Sequence, residues 1–216
     1  MPNKFLISLI FLSLVIASCS SAAPAPVEEA SSDFYNLGGD DAAQGNYERA
    51  IENYTLALEE DPSLLVAYIA RGNVYDVLGD FDMAIADYGK AIELDPENAD
   101  AYFSRGATSY WTGDWEAAVR DYVKVTELNP EEFYAFINLA DIYFLMGQYD
   151  QAVAYAGQAL AIDPQNADAY AIRGEAYGIL GDSANALGDL NKALEFAPDN
   201  SILYICLLYT SEAADE

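Results

Sequence analysis

Residues 65–98 read LVAYIARGNVYDVLGDFDMAIADYGKAIELDPEN, and residues 99–132 read ADAYFSRGATSYWTGDWEAAVRDYVKVTELNPEE. Set one under the other, the two lines agree in where small residues, aromatics and turn signals fall. The agreement runs along the chain. Pro62, Pro96, Pro130, Pro164 and Pro198 each follow the last by 34 residues, and Gly45, Gly79, Gly113, Gly147 and Gly181 keep the same step. A period of this length marks a repeat architecture, in which one supersecondary unit recurs and buries its apolar face against the next copy.

Within each unit the punctuation predicts a helical hairpin. The central glycine closes a first helix through a left-handed cap, and the proline, which a helix interior does not tolerate, stops a second one. Counting repeats from residues 31, 65, 99, 133 and 167, position 8 holds Gly38, Gly72, Gly106, Ala140 and Gly174. Position 20 holds Ala50, Ala84, Ala118, Ala152 and Ala186, and position 27 holds Ala57, Ala91, Val125, Ala159 and Ala193. Small side chains there let paired helices approach. Large ones fill the remaining space: Phe34, Tyr68, Tyr102, Phe136 and Tyr170 on the first helices, Tyr54, Tyr88 and Tyr122 on the second. In the last two repeats Ala156 and Leu190 replace the second-helix tyrosine, and Ser183 replaces the aromatic seen at Tyr149, which predicts looser packing there.

This spacing of small and large residues with a closing proline resembles the tetratricopeptide repeat, over residues 31–198. The resemblance implies an all-α fold, a right-handed α-solenoid of about five helical hairpins, with a concave face that takes protein or peptide ligands. On that face it places positions 2, 5, 9 and 12 of each first helix. Here those positions supply Tyr35, Val66, Ile69, Asn73, Asp76, Asp100, Phe103, Tyr110, Tyr134, Ile137, Asp141, Phe144, Asp168 and Glu175, an aromatic and acidic groove. A known mode of the family grips a terminal carboxylate with Lys and Asn side chains. This groove has almost no Lys or Arg, so the expected ligand is a basic or amphipathic protein segment.

Two further positions vary together. Arg71, Arg105 and Arg173 stand at position 7 and Asp87, Asp121 and Asp189 at position 23 of the same repeats, whereas repeats one and four place Leu37 with Asn53 and Leu139 with Tyr155. An antiparallel hairpin sets the two positions opposite each other, which predicts a structural Arg–Asp pair in three of the hairpins.

Composition narrows the function classes. The chain carries 36 acidic against 9 basic residues, a formal net charge of −27 that repels nucleic acid and anionic lipid. With no histidine among its 216 residues, the commonest general base and transition-metal ligand is missing, and the two cysteines make neither a disulfide framework nor a zinc site. No nucleophile elbow or phosphate loop occurs, and Asp95-Pro96-Glu97-Asn98-Ala99-Asp100 lacks the ladder of a calcium loop. The expectation is a non-enzyme without cofactor or metal.

The first residues read as an address. Residues 1–18 run from Met-Pro-Asn-Lys into the apolar stretch Phe5 to Ala17, too short to span a bilayer, so they are read as a signal peptide. Ile16-Ala17-Ser18-Cys19 then resembles the lipobox of bacterial lipoproteins, which implies acylation of the Cys19 sulfur and a mature chain held on the bacterial cell envelope. Residues 19–32, small and Pro-containing without periodicity, are expected to form a flexible tether to an array spanning 33–198. Residues 199–205 start a sixth repeat, with Tyr204 at its fourth position. Residues 206–216 are read as non-native, because Cys206-Leu-Leu-Tyr-Thr-Ser211 resembles the translation of a transposon end used in sequencing-library preparation, so that the natural chain is expected to continue past 205. The reading that results is a lipid-anchored interaction scaffold; its rival is the interaction region of a larger accessory or regulatory protein.

Overall fold

The structure, a computed structural model, describes residues 29–199 and Tyr204. Among these, ten helices and no strand are found: α1 (Glu29–Ala43), α2 (Tyr47–Glu60), α3 (Leu65–Leu78), α4 (Phe81–Leu94), α5 (Ala99–Thr112), α6 (Trp115–Leu128), α7 (Phe133–Leu145), α8 (Tyr149–Ile162), α9 (Ala167–Ile179) and α10 (Ser183–Phe196). Each odd-numbered helix pairs with the even-numbered one after it, and each hairpin then packs on the next. The fold is an all-α helical-repeat solenoid. Within the described residues no helix is long and apolar enough to cross a membrane.

The breaks fall where backbone chemistry puts them. Gly45, Gly79, Gly113, Gly147 and Gly181 all adopt φ between 74° and 83°, the left-handed region that a side chain disfavours. Ahead of the first four closing prolines a short polar side chain makes the turn: Asp61, Asp95, Asn129 and Asp163 accept the backbone N–H two residues on, at 2.9–3.3 Å. Acids in these loops therefore build turns. Asn98, Asp114, Asn166 and Asp182 cap the helices that follow them.

The core repeats with the sequence. All five alanines at position 20 are wholly buried, as are Tyr88 and Tyr122. Position 8 needs glycine because the tyrosine ring lies against it: a Cβ on Gly38 would come within 2.6 Å of Tyr54 Cε1, and one on Gly72 within 2.8 Å of Tyr88 Cε1. In the fourth repeat both partners change, Ala140 standing where the others have glycine and Ala156 where the first three have tyrosine, both fully buried. Leu190 takes the place of the tyrosine in the fifth repeat, fully buried, with its Cγ 3.0 Å from where a Gly174 Cβ would stand.

One boundary also differs. Helix α1 begins at Glu29 and takes in residues 29–32, which the sequence assigns to the tether. Ser31 is buried. The signal peptide, Cys19, the rest of the tether and the tail at 206–216 lie outside the described residues, as does the sixth repeat apart from Asp199 and Tyr204. Tyr204 is helical, and its hydroxyl donates to the Pro198 carbonyl at 3.3 Å.

Candidate functional site

The candidate surface is the layer of first helices. α1 and α3, α3 and α5, and α7 and α9 approach one another directly, whereas no two second helices make a comparable approach. A stack whose odd helices crowd and whose even helices spread apart curves with the odd ones inside. The inner face is thus the odd-helix face. Along it α5 and α7 are the pair that barely meet.

The predicted groove residues all lie on these inner helices, but they divide by exposure. Val66, Asp100, Tyr134 and Asp168, at position 2, are exposed. The others are half-buried, and several are engaged by neighbours. Tyr35 tilts against Tyr54, Phe103 meets the Tyr122 ring edge-on at 5.4 Å, and Phe144 meets Tyr149 at 5.5 Å. Phe103 and Phe144 are therefore packing residues as much as groove residues. Asp168 keeps access to solvent, although crowding by the groove wall desolvates its carboxylate enough to raise its pKa.

Asp76 is held by a polar node that joins two repeats. Tyr88 Oη lies 2.7 Å from Asp76 Oδ2 and 2.8 Å from Asn73 Oδ1, and Thr108 Oγ1 of the next repeat lies 2.9 and 2.8 Å from the two carboxylate oxygens. One hydroxyl proton serves one acceptor, so the Tyr88 proton goes to the carboxylate. With the Asn73 amide turned end for end, its NH2 donates to Tyr88 and every group is satisfied. Burial raises the Asp76 pKa, and the bonds from Tyr88 and Thr108 pull it back. Burial next to this carboxylate pushes the Tyr88 hydroxyl up.

Asp141 is tied in a simpler way. It accepts from Tyr110 Oη at 2.7 Å, a bond that reaches across from α5 to α7, and burial raises its pKa against the pull of that bond. Close by, the buried Tyr122 hydroxyl and Asn138 side-chain amide face each other, close enough for the amide to act on the hydroxyl but without a well-formed hydrogen bond to Tyr122 Oη or Asn138 Nδ2 among the described residues. Asp76 and Asp141 were expected to face a ligand. They are instead largely spent on inter-repeat contacts, because the neighbouring repeat brings a hydroxyl within reach of each.

The three Arg–Asp positions meet. Arg71 donates through Nε and Nη2 to Asp87 at 2.7 and 2.8 Å, Arg105 to Asp121 at 2.8 Å twice, and Arg173 to Asp189 at 2.7 and 2.9 Å. The hydrogen bond to aspartate, against the cost of burial, raises each guanidinium pKa further. Each guanidinium also sits 5.6–5.8 Å from the ring of Tyr68, Tyr102 or Tyr170, three residues earlier. In the first hairpin Asn53 Nδ2 donates to Asp41 at 2.9 Å, and in the fourth Tyr155 stacks on Tyr143 at 5.3 Å.

Sequence reasoning missed one row. Position 13, at the far end of each inner helix, holds Val77, Trp111, Leu145 and Ile179, and three of these are open to solvent at 55%, 47% and 55% for Val77, Trp111 and Ile179. Position 14 adds Leu78 and Leu180, also exposed. The signal was available: positions 13 and 14 of repeats two to five are uncharged in a chain with 36 acids.

Two family profiles described as tetratricopeptide repeat match the chain, one over residues 66–98 and 133–166, the other over 42–64 and 167–200. The chain belongs to the tetratricopeptide-repeat family. Its arrays are non-catalytic scaffolds for protein–protein interaction. No curated protein matches this chain. Among solved structures, the MamA protein is similar at 26% identity and a TM-score of 0.74, over 80% of this chain and 94% of that one. YrrB, described as a TPR protein with an unusual peptide-binding site, is similar at 26% identity and 0.71, over 83% and 90%. A tetratricopeptide repeat protein from Parabacteroides merdae reaches 0.76 at 17% identity, over 87% and 75%, a likeness in fold.

Proposed function

We propose that this tetratricopeptide-repeat chain is a lipid-anchored scaffold of the bacterial cell envelope, which holds a basic or amphipathic protein segment against its inner helix layer. The observation that carries the reading is the exposed row Val66, Asp100, Tyr134 and Asp168 on the inner helices, aliphatic, aromatic and acidic side chains left open where the other predicted groove residues are half-buried. A net charge of −27 would speed encounter with a cationic partner, and an exposed tyrosine offers an anchor at low entropic cost. The similarity to YrrB, a protein described by its peptide-binding site, supports the same use of the array. Support for the anchor is the sequence Ile16-Ala17-Ser18-Cys19 ahead of the first helix.

Pull-down from native membranes is the direct test. Tyr134→Ala combined with Asp100→Asn should weaken capture of the partner about tenfold, while Cys19→Ser should move the protein out of the membrane fraction and end labelling by fatty acid. Undiminished capture by the double variant refutes the inner face, and equal labelling of Cys19→Ser and wild type refutes the anchor.

A further inference from the structure

Each second helix meets the next hairpin through a residue that changes with what faces it. Position 25 holds Thr55, Gly89, Val123 and Gly157 in the first four repeats. It looks across the junction at position 7 of the following repeat, as Thr55 Oγ1 shows by accepting from Arg71 Nη1 at 2.9 Å. Where the following repeat has Arg105 or Arg173, position 25 is a glycine, and a Cβ built on it would stand 3.9 or 3.8 Å from that arginine's Nη1 with nothing else within 4 Å. Where the following repeat has Leu139, position 25 is Val123, which packs on the apolar cluster that holds Leu139.

These glycines have a different cause from those at position 8. A Cβ on Gly72 would come within 2.8 Å of Tyr88 Cε1, so packing inside the hairpin demands glycine there. At 89 and 157 the chain leaves room for a side chain, and glycine inside a helix is less favourable than alanine. What a side chain would alter is the guanidinium. Its Nε and Nη2 donate to aspartate in their own hairpin, which leaves Nη1 at the junction. A hydroxyl at position 25 gives that nitrogen an acceptor, whereas a branched apolar side chain takes water from it and returns nothing. Leu139, wholly buried, has the opposite need: a glycine before it would leave a void, and a hydroxyl would lie unpaired.

We infer that positions 25 and 7 form a key that decides which hairpin packs behind which, polar at three junctions and apolar at one. Repeats this alike in sequence are open to wrong pairing, by skipping a hairpin or by exchanging one between two copies. The fifth hairpin behind the third would set Arg173 against Val123, and the fourth behind the second would set Leu139 against Gly89. Only the fourth hairpin suits the third. The shared small-residue pattern, which is the same in every hairpin, carries no such choice.

Valine and threonine share shape, branching and helix propensity, so exchanging them tests the key through the hydroxyl alone. In denaturant unfolding of the full chain, Gly89→Thr should give an unfolding constant about tenfold below that of Gly89→Val, and Gly157→Thr likewise against Gly157→Val. Thr55→Val should raise the constant about tenfold, and Val123→Thr, at the apolar junction, should raise it as well. Arg105→Leu with Asp121→Asn, the pair that the first repeat carries as Leu37 and Asn53, should turn the preference at 89 to valine. Equal constants for threonine and valine at 89 and 157, or a threonine preference at 89 that survives the loss of Arg105, overturn the key. Should the variants at 89 and 157 not fold, Thr55→Val and Val123→Thr decide alone, and an unchanged constant in either overturns it.

Discussion

The junction between the second and third repeats and the one between the third and fourth place a tyrosine at the same position to opposite effect. At the first, Tyr88 is one member of a closed set with Asn73, Asp76 and Thr108. At the second, the counterparts of those three are Ala107, Tyr110 and Ile142, and the buried Tyr122 Oη has only the Asn138 amide beside it, without a well-formed hydrogen bond. Both rings fill the same hole in the hairpin. The lesson is that the repeat dictates shape within a hairpin, whereas the polar chemistry between hairpins is set by positions free to differ. Where Ala107 and Ile142 replace the polar partners, α5 and α7 are joined by apolar packing in one cluster that holds Phe103, Tyr110, Leu139 and Ile142, and by the bond from Tyr110 to Asp141.

Removing each hydroxyl breaks this comparison open. Tyr88→Phe deprives a half-buried carboxylate of a donor, and should cost about 1.5–3 kcal/mol in denaturant unfolding, the range for a hydrogen bond to a charged group. Tyr122→Phe removes a hydroxyl whose one polar neighbour, Asn138, makes no well-formed hydrogen bond to it, and should change stability by less than about 0.5 kcal/mol. Equal losses in the two variants would mean that Tyr122 is satisfied after all.

Titration sharpens the contrast with a smaller effect. Burial raises the pKa of both Asp76 and Asp141 in the folded chain. A raised carboxyl binds more protons folded than unfolded between its ordinary and its raised value, so its contribution to stability falls as pH rises through that window and returns on acidification. Melting temperature should therefore rise as pH falls from neutrality towards the ordinary carboxylate range. Asp141, with one donor, should account for more of that rise than Asp76, whose burial is offset by two, so Asp141→Asn should flatten the profile more than Asp76→Asn. The opposite ranking would contradict the hydrogen-bond assignment.

Much of the fold was legible, and the reasons are local. The 34-residue step, the glycine caps and the prolines each act within one hairpin, so the sequence alone states them. The Arg–Asp pairs were legible for the same reason: both members belong to one hairpin and come and go together. What the sequence hid lies between hairpins. Thr108 reaches Asp76 only because of how one repeat rests on the next, so two acids counted as ligand-facing serve the junctions instead. Conversely the Val77, Trp111 and Ile179 edge was passed over because apolar residues on a helix read as core, and only their exposure reveals them as surface.

The central claim is that partners bind the inner layer of helices, and amide hydrogen exchange on the chain with its captured partner tests it most directly. New protection should concentrate in α3, α5, α7 and α9, strongest near Asp100 and Tyr134 and near Trp111 and Ile179, while the exposed faces of α4, α6 and α8 exchange as in the free protein. Protection confined to the even-numbered helices would contradict it.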